Sequence, residues 1–350
     1  MDDTSSVEKQ DIKSAYSSED TSTTDVSIQT PEAVTSLDIP ANVLSRVDQE
    51  GLKVNSQGIV SFPESSPAHP RQWPVTRKLY DTGVIVLLEF FMTVVSNSGS
   101  NLSSQVSTEI GASLELTIFC LTTVYLLGQA TGGLLFPPIT ETFGGKFIYV
   151  FSSAVYTAMC LVLGLAPPTI ASIVVARYVQ GVLSAMPTVV ATGSIENMWG
   201  SRDRVWVVSV WAVGGVLGLA IGPVYAVYVS ASNMGWQVAT PKTPHRVRIL
   251  IVGREWVFNA AGVAMGMMTF LALEMRESRP GSVLRKKVAY VKALTEYEHL
   301  SAEGEAATPS LKEFARDSLS LPLWLFFTEP IVCLTSIMGA TVVRIQAPCL

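Results

Sequence analysis

From Tyr80 onward the chain alternates long apolar stretches with short polar ones, whereas Met1 to about Pro70 is polar and rich in Ser, Thr, Asp and Glu. An α-helix rises about 1.5 Å per residue, so crossing a hydrocarbon core of about 30 Å takes about 20 apolar residues. Seven stretches meet that length. Spans 1 to 4 cover about 80–100, 113–135, 147–166 and 169–193, and spans 5 to 7 cover about 205–229, 255–273 and 323–342. The turn Ala166-Pro167-Pro168 joins spans 3 and 4. The pattern predicts an all-α polytopic membrane protein, with a six-helix bundle over 75–273 and a seventh helix within 323–350. Residues 1–74 hold too little apolar surface to fold alone and read as a disordered tail. Residues 274–322 read as a charged loop.

Composition agrees with this picture. Charged residues make up 15% of the chain, against about a quarter in soluble domains. The net charge of -5 owes much to the acidic tail, and no broad basic surface points to nucleic acid. Cys120, Cys160, Cys333 and Cys349 lie far apart, without metal or redox spacing. The N-terminus lacks the early apolar core of a signal peptide. No nucleotide loop, metal cluster or triad pattern appears, so neither an enzyme nor a cofactor is expected.

Loop charges orient the spans. Arg71, Arg77 and Lys78 precede span 1, Lys146 separates spans 2 and 3, Arg202 and Arg204 separate spans 4 and 5, and Arg276, Arg279, Arg285, Lys286 and Lys287 follow span 6. The connections between spans 1 and 2 and between spans 3 and 4 carry neither Lys nor Arg. The N-terminus and the 274–322 segment are therefore expected in the cytoplasm. Residues 237–253 break the rule, with Lys242, Arg246 and Arg248 on the outer side. The sequon Asn101-Leu102-Ser103 sits too close to the membrane to be read as a glycan site.

Two ionisable residues fall inside spans. Glu89 lies about 16 Å along span 1 from Lys78, and Arg177 about 13 Å in from Pro168. Charges in the middle of a bilayer are costly unless paired or facing an aqueous cavity, so both are functional candidates. A structural ion pair, or an Arg held by carbonyls, is the blander alternative. On span 5, Gly214, Gly218, Gly222 and Ala226 recur every four residues and make a smooth stripe for close helix approach, interrupted by Pro223. Gly128 and Gly132 repeat the device on span 2. Between spans 2 and 3, Phe136 to Lys146 places Glu141, then Gly144 and Gly145, then Lys146, a hinge-like connection. Glu196 to Arg204 has a similar makeup between spans 4 and 5.

Over about 71–338 these features resemble the major facilitator superfamily, and most closely its fungal drug:proton antiporters. Glu141, Gly144 and Lys146 match that family's loop between spans 2 and 3, with Gly145 in place of an Arg. Arg177 and Gly181 match its span 4 motif. Gly218, Gly222 and Pro223 match the antiporter motif of span 5, whose terminal Gly-Gly is replaced by Ala226 and Val227. Arg276-Glu277-Ser278-Arg279-Pro280 and Thr328-Glu329-Pro330-Ile331-Val332 look like the fungal branch's exit from span 6 and entry to span 7. The resemblance implies alternating access across the plasma membrane, with small organic molecules and protons as partners. It implies proton coupling at Arg177, and interface packing at the span 5 motif.

Two departures stand out. Residues 237–253 separate Gly235-Trp236 from Arg254-Glu255-Trp256-Val257-Phe258, which the family joins directly; a retained intron would account for this insert, and a real insert would form an exposed, poorly ordered loop. The residues after about 343 no longer look like the family, and spans 8 to 12 are absent. A truncated product, inactive alone and with the Gly214–Gly222 stripe open to lipid, is expected. A seven-span receptor and a non-transporting membrane fragment are the other readings.

Overall fold

The structure, a computed structural model, describes residues 39–63, 66–167, 169–231, 245–295, 297, 299–304 and isolated positions between 324 and 337, with the backbone alone at 141–142, 231 and 245–254. Within these residues the chain reads α1 (Ala41–Gln49), β1 (Lys53–Val54), β2 (Ile59–Ser61), six long helices, α2 (Pro280–Thr295) and β3 (Ser301–Ala302). Six helices are long and apolar enough to cross a membrane. They are span 1 (Val75–Ile110), span 2 (Leu114–Thr140), span 3 (Gly145–Leu165), span 4 (Ile170–Met198), span 5 (Ser201–Ser230) and span 6 (Glu255–Leu273). The expected all-α polytopic bundle is therefore present. The proposed seventh span lies largely outside the described residues.

Several ends differ from expectation. Span 1 continues ten residues beyond residue 100 and stops at Gly111, whose φ of 71° carries the left-handed cap. Asn101 is thus inside a helix, with its Nδ2 near the Asn97 carbonyl at 3.5 Å. The helix of span 2 runs on to Phe143 through Pro137 and Pro138, so the expected loop of 136–146 shrinks to Gly144. The helix of span 6 begins at His245, and residues 245–253, expected in an exposed, poorly ordered loop, are helical backbone; residues 237–244 lie outside the described residues. Span 4 opens on a capping box between Thr169 and Ser172.

The spans pack in pairs, 1 with 5, 2 with 4 and 3 with 6, and span 1 also meets span 6. Backbone approach decides the pairing. A Cβ on Gly218 would stand 2.8 Å from the Phe90 carbonyl oxygen, and one on Gly222 would stand 2.8 Å from Asn97 Cβ. Gly214 faces Val86 at 3.0 Å by the same measure. The Gly214–Gly222 stripe is therefore closed by span 1, not left open to lipid as expected. Span 1 offers Val86, Phe90, Val94 and Asn97, a row at the same helical spacing, and a stripe alone cannot say which helix bears such a row.

The N-terminal segment also departs from expectation. Val43, Val47, Leu52 and Val60 form a second small core with Leu284, Val288, Val291, Leu300 and Ala302. β2 pairs antiparallel with β1 and parallel with β3, where Ile59 faces Ser301. Lys287 Nζ bonds Glu50 Oε2 at 2.6 Å. The reading of 1–74 as disordered thus fails over 39–63, and the 274–322 segment contains a helix. The apolar residues of either segment are too few to fold alone, but together they enclose a core. Residues 1–38 lie outside the described residues.

Candidate functional site

Glu89 stands on the inner face of span 1 and is only 7% exposed. Thr188 Oγ1, on span 4, donates to its Oε2 at 3.0 Å. The carboxyl opens on a cavity of ≈ 270 Å³ lined by residues of spans 1, 2, 4 and 5, among them Asn97, Tyr125, Gln129, Thr188 and Gly215. Gln129 Nε2 reaches Thr188 Oγ1 at 3.4 Å. Gly215 of span 5 faces the carboxyl, and a Cβ there would lie in ordinary contact, 3.5 Å from Glu89 Oε1. No cation lies within ion-pair distance of Glu89 among the described residues. The cavity thus joins one carboxyl to hydroxyl and amide groups and to apolar walls such as Met92 and Leu126. That mixture suits orientation of a small organic molecule.

Arg177 is fully buried, at 0% exposure. Its Nη1 donates to the Val95 carbonyl on span 1 at 3.3 Å. The guanidinium lies over the Phe258 ring at 4.9 Å and the Tyr125 ring at 5.8 Å. Its Nε and Nη2 have no hydrogen-bond partner among the described residues. Gly99 makes room for it, because a Cβ at 99 would fall 2.8 Å from Nη2. Of the alternatives open for this residue, the structure shows an Arg held by a carbonyl and by aromatic faces. Glu89 and Arg177 do not meet. Val95 and Gly99, the points where Arg177 touches span 1, lie about 9 to 15 Å along the helix from Glu89.

Gly181 shares span 4 with Arg177 and serves packing: a Cβ there would lie 2.0 Å from the Tyr125 carbonyl oxygen. Gly128 and Gly132 answer from span 2, at 2.3 Å from the Tyr178 oxygen and 2.2 Å from the Val182 oxygen. Pro223 lies inside the helix of span 5. It has no N–H for the carbonyl of Leu219, a residue that lines the cavity.

At the other end of the bundle, Glu277 explains the loop between spans 2 and 3. Its carboxylate accepts from the N–H groups of Gly145 at 2.9 Å, Lys146 at 3.1 Å and Arg279 at 3.1 Å. A carboxylate suits a helix N-terminus because the free amides point at it and the dipole favours negative charge. Gly144, at φ 87°, allows the turn, and a Cβ there would come within 2.5 Å of Glu277 Oε2. Arg279 Nη2 donates to Thr140 Oγ1 at 2.8 Å. Lys146 thus contributes its backbone to this knot, while the side chain of Glu141 lies outside the described residues. Between spans 4 and 5, Arg204 pairs with Glu196.

Sequence reasoning missed Thr188, Gln129 and Gly99, and the capping role of Glu277. Part of the cavity did carry a signal: Glu89, Thr93, Ser96 and Asn97 recur at helical spacing and mark one polar face of an otherwise apolar span. Glu277 stood in the string Arg276-Glu277-Ser278-Arg279-Pro280 that resembles the family's exit from span 6, but nothing in that string tied it to the amides of span 3.

The Major Facilitator Superfamily profile matches residues 84–343. Among curated proteins, the efflux pump radE of Floropilus chiversii is 24% identical over 79% of this chain and 48% of its own length. The MFS-type transporter penM of Penicillium rubens is 28% identical over 81% and 52%. The multidrug transporter FLU1 of Candida albicans is 25% identical over 81% and 43%. The chain spans about half the length of these relatives. Among solved structures, the proton:xylose symporter XylE aligns with a TM-score of 0.56 at 15% identity, over 79% of this chain and 62% of that one, a likeness of fold. With the profile running across all six spans, the chain belongs to the Major Facilitator Superfamily.

Proposed function

We propose that the six-span bundle forms one wall of the central cavity of a proton-coupled exporter of small organic molecules, with its N-terminus in the cytoplasm and the plasma membrane as its seat. The observation that carries this reading is the Glu89 carboxyl, buried at the wall of a polar cavity with a hydroxyl donor and, among the described residues, no cation beside it. A carboxyl so placed can exchange a proton with cavity water when a substrate arrives or leaves. Arg177 is not among the residues lining that cavity. Its role in coupling would run through span 1, whose backbone it holds at Val95. The relative radE, named as an efflux pump, supports export as the direction.

The test is proton release on binding. The purified chain in lipid nanodiscs, weakly buffered and with a pH dye, is titrated with tetraphenylphosphonium. The expected result is release of about one proton per molecule bound, lost in Glu89→Gln. Binding without proton exchange would remove Glu89 from the mechanism, and no binding of any organic probe would favour the non-transporting membrane fragment. Gradient-driven flux is not expected from liposomes holding the 350-residue chain alone, because alternating access rocks two walls around a shared site. An N-terminal reporter found outside the cell would favour a receptor.

A further inference from the structure

Where the chain enters span 1 and leaves span 6, the structure holds a second cavity of ≈ 510 Å³, lined by Glu50, Trp73, Arg276, Glu277, Val283, Lys286, Lys287 and Tyr290. Trp73 stands two residues before the helix of span 1 begins at Val75, and Arg276 three after span 6 ends at Leu273. The cleft therefore sits at the level where the chain crosses the bilayer surface. Its charges are not balanced. Glu50 is occupied by Lys287, and Glu277 by the backbone amides of Gly145, Lys146 and Arg279. Arg276 shares the field of the buried Asp81 carboxyl, which is itself paired with Arg77 at 3.1 Å; beyond that, neither the Arg276 nor the Lys286 side chain has a carboxylate within ion-pair distance among the described residues, and both are exposed. Tyr290 is exposed on the same helix as Lys286, one turn further on. Trp and Tyr favour the headgroup layer, where one end of the ring is apolar and the other wet.

The geometry points to a binding site for the anionic headgroup of a phospholipid in the leaflet on the N-terminal side. Arg276 offers a planar fork of donors and Lys286 a point charge, the two ways proteins hold a phosphate. Trp73 and Tyr290 flank the headgroup at the depth of the glycerol backbone. A soluble phosphate would find the same charges, but the position at the mouths of spans 1 and 6 puts the lipid there at far higher local concentration. Because the helix bearing Lys286 also packs on Val43, Val47 and Val60, the lipid would sit beside the N-terminal subdomain and help hold it to the membrane face.

The experiment is lipid competition on the full chain in nanodiscs mixing phosphatidylserine and phosphatidylcholine, with retained lipid counted by native mass spectrometry after mild release. Preferential retention of phosphatidylserine is expected. At about fivefold per basic residue, Arg276→Gln with Lys286→Gln should lower that preference roughly twenty-five-fold. The control is Arg46→Gln with Lys53→Gln, an equal charge change on the N-terminal subdomain outside the cleft, expected to leave the preference unchanged. An equal fall in both double variants would reduce the effect to general attraction and overturn the site. Equal retention of the two lipids by the unaltered chain would overturn it without recourse to any variant. Displacement of phosphatidylserine by millimolar inorganic phosphate would overturn the lipid assignment in favour of a soluble anion.

Discussion

Gly181→Ala is the smallest change that should separate two spans. A methyl at 181 would lie 2.0 Å from the Tyr125 carbonyl oxygen and 2.9 Å from its carbon, both fixed backbone atoms of span 2. Side-chain rotation cannot relieve this, so the helices must part by roughly 1.5 Å to restore an ordinary contact. Gly128 and Gly132 lie in the same seam, which therefore loosens along its length. Helix association in lipid rests on such packing and not on a hydrophobic drive. Overpacking of this kind costs about 1–3 kcal/mol. At roughly 2–4 °C per kcal/mol, the melting temperature should fall by roughly 2–12 °C. The assay is thermal unfolding of detergent-solubilised protein followed by size-exclusion chromatography. Gly193→Ala is the control, because a Cβ on Gly193 of the same span meets nothing within 4 Å; it should be neutral or slightly stabilising, as Ala favours a helix over Gly. A Gly181→Ala protein melting within about 1 °C of the Gly193→Ala protein would refute the close seam.

Two further outcomes concern the N-terminal subdomain. Val60→Asp buries a charge at a position 1% exposed with no cation provided, so it should leave the six spans inserted while residues 51–63 become open to limited proteolysis; unchanged protease resistance would count against the shared core. His69 Nδ1 accepts from the Arg71 amide at 3.1 Å, and burial, then the Arg71 charge, hold its pKa below the ordinary 6.5. The folded state thus disfavours the protonated ring, so this cap is intact above about pH 6.5 and weakens as pH falls through the depressed value. Hydrogen exchange at the Arg71 amide, corrected for intrinsic rates, should speed up between pH 7 and pH 5 in the unaltered chain and not in His69→Asn.

Apolar length by itself settled that this chain spans a membrane and where spans 3 and 4 turn, because lipid leaves the backbone no choice but to satisfy itself within helices. Loop charge suggested an orientation, and isolated charges within apolar runs singled out Glu89 and Arg177 before any partner was known. Their environments were not legible. Thr188 lies 99 residues from Glu89 along the chain and bonds it, and Gly99 is an ordinary glycine until Arg177 is seen lying against it. Tertiary structure decided that the span 5 stripe faces span 1, since the stripe specifies closeness and the partner's matching row specifies the partner. It decided the core shared by residues 43–60 and 284–302, which neither segment could form alone. It also decided that Glu277 caps span 3. A local window sees an acid among arginines, whereas the folded chain brings it to the free amides of a helix that began 132 residues earlier.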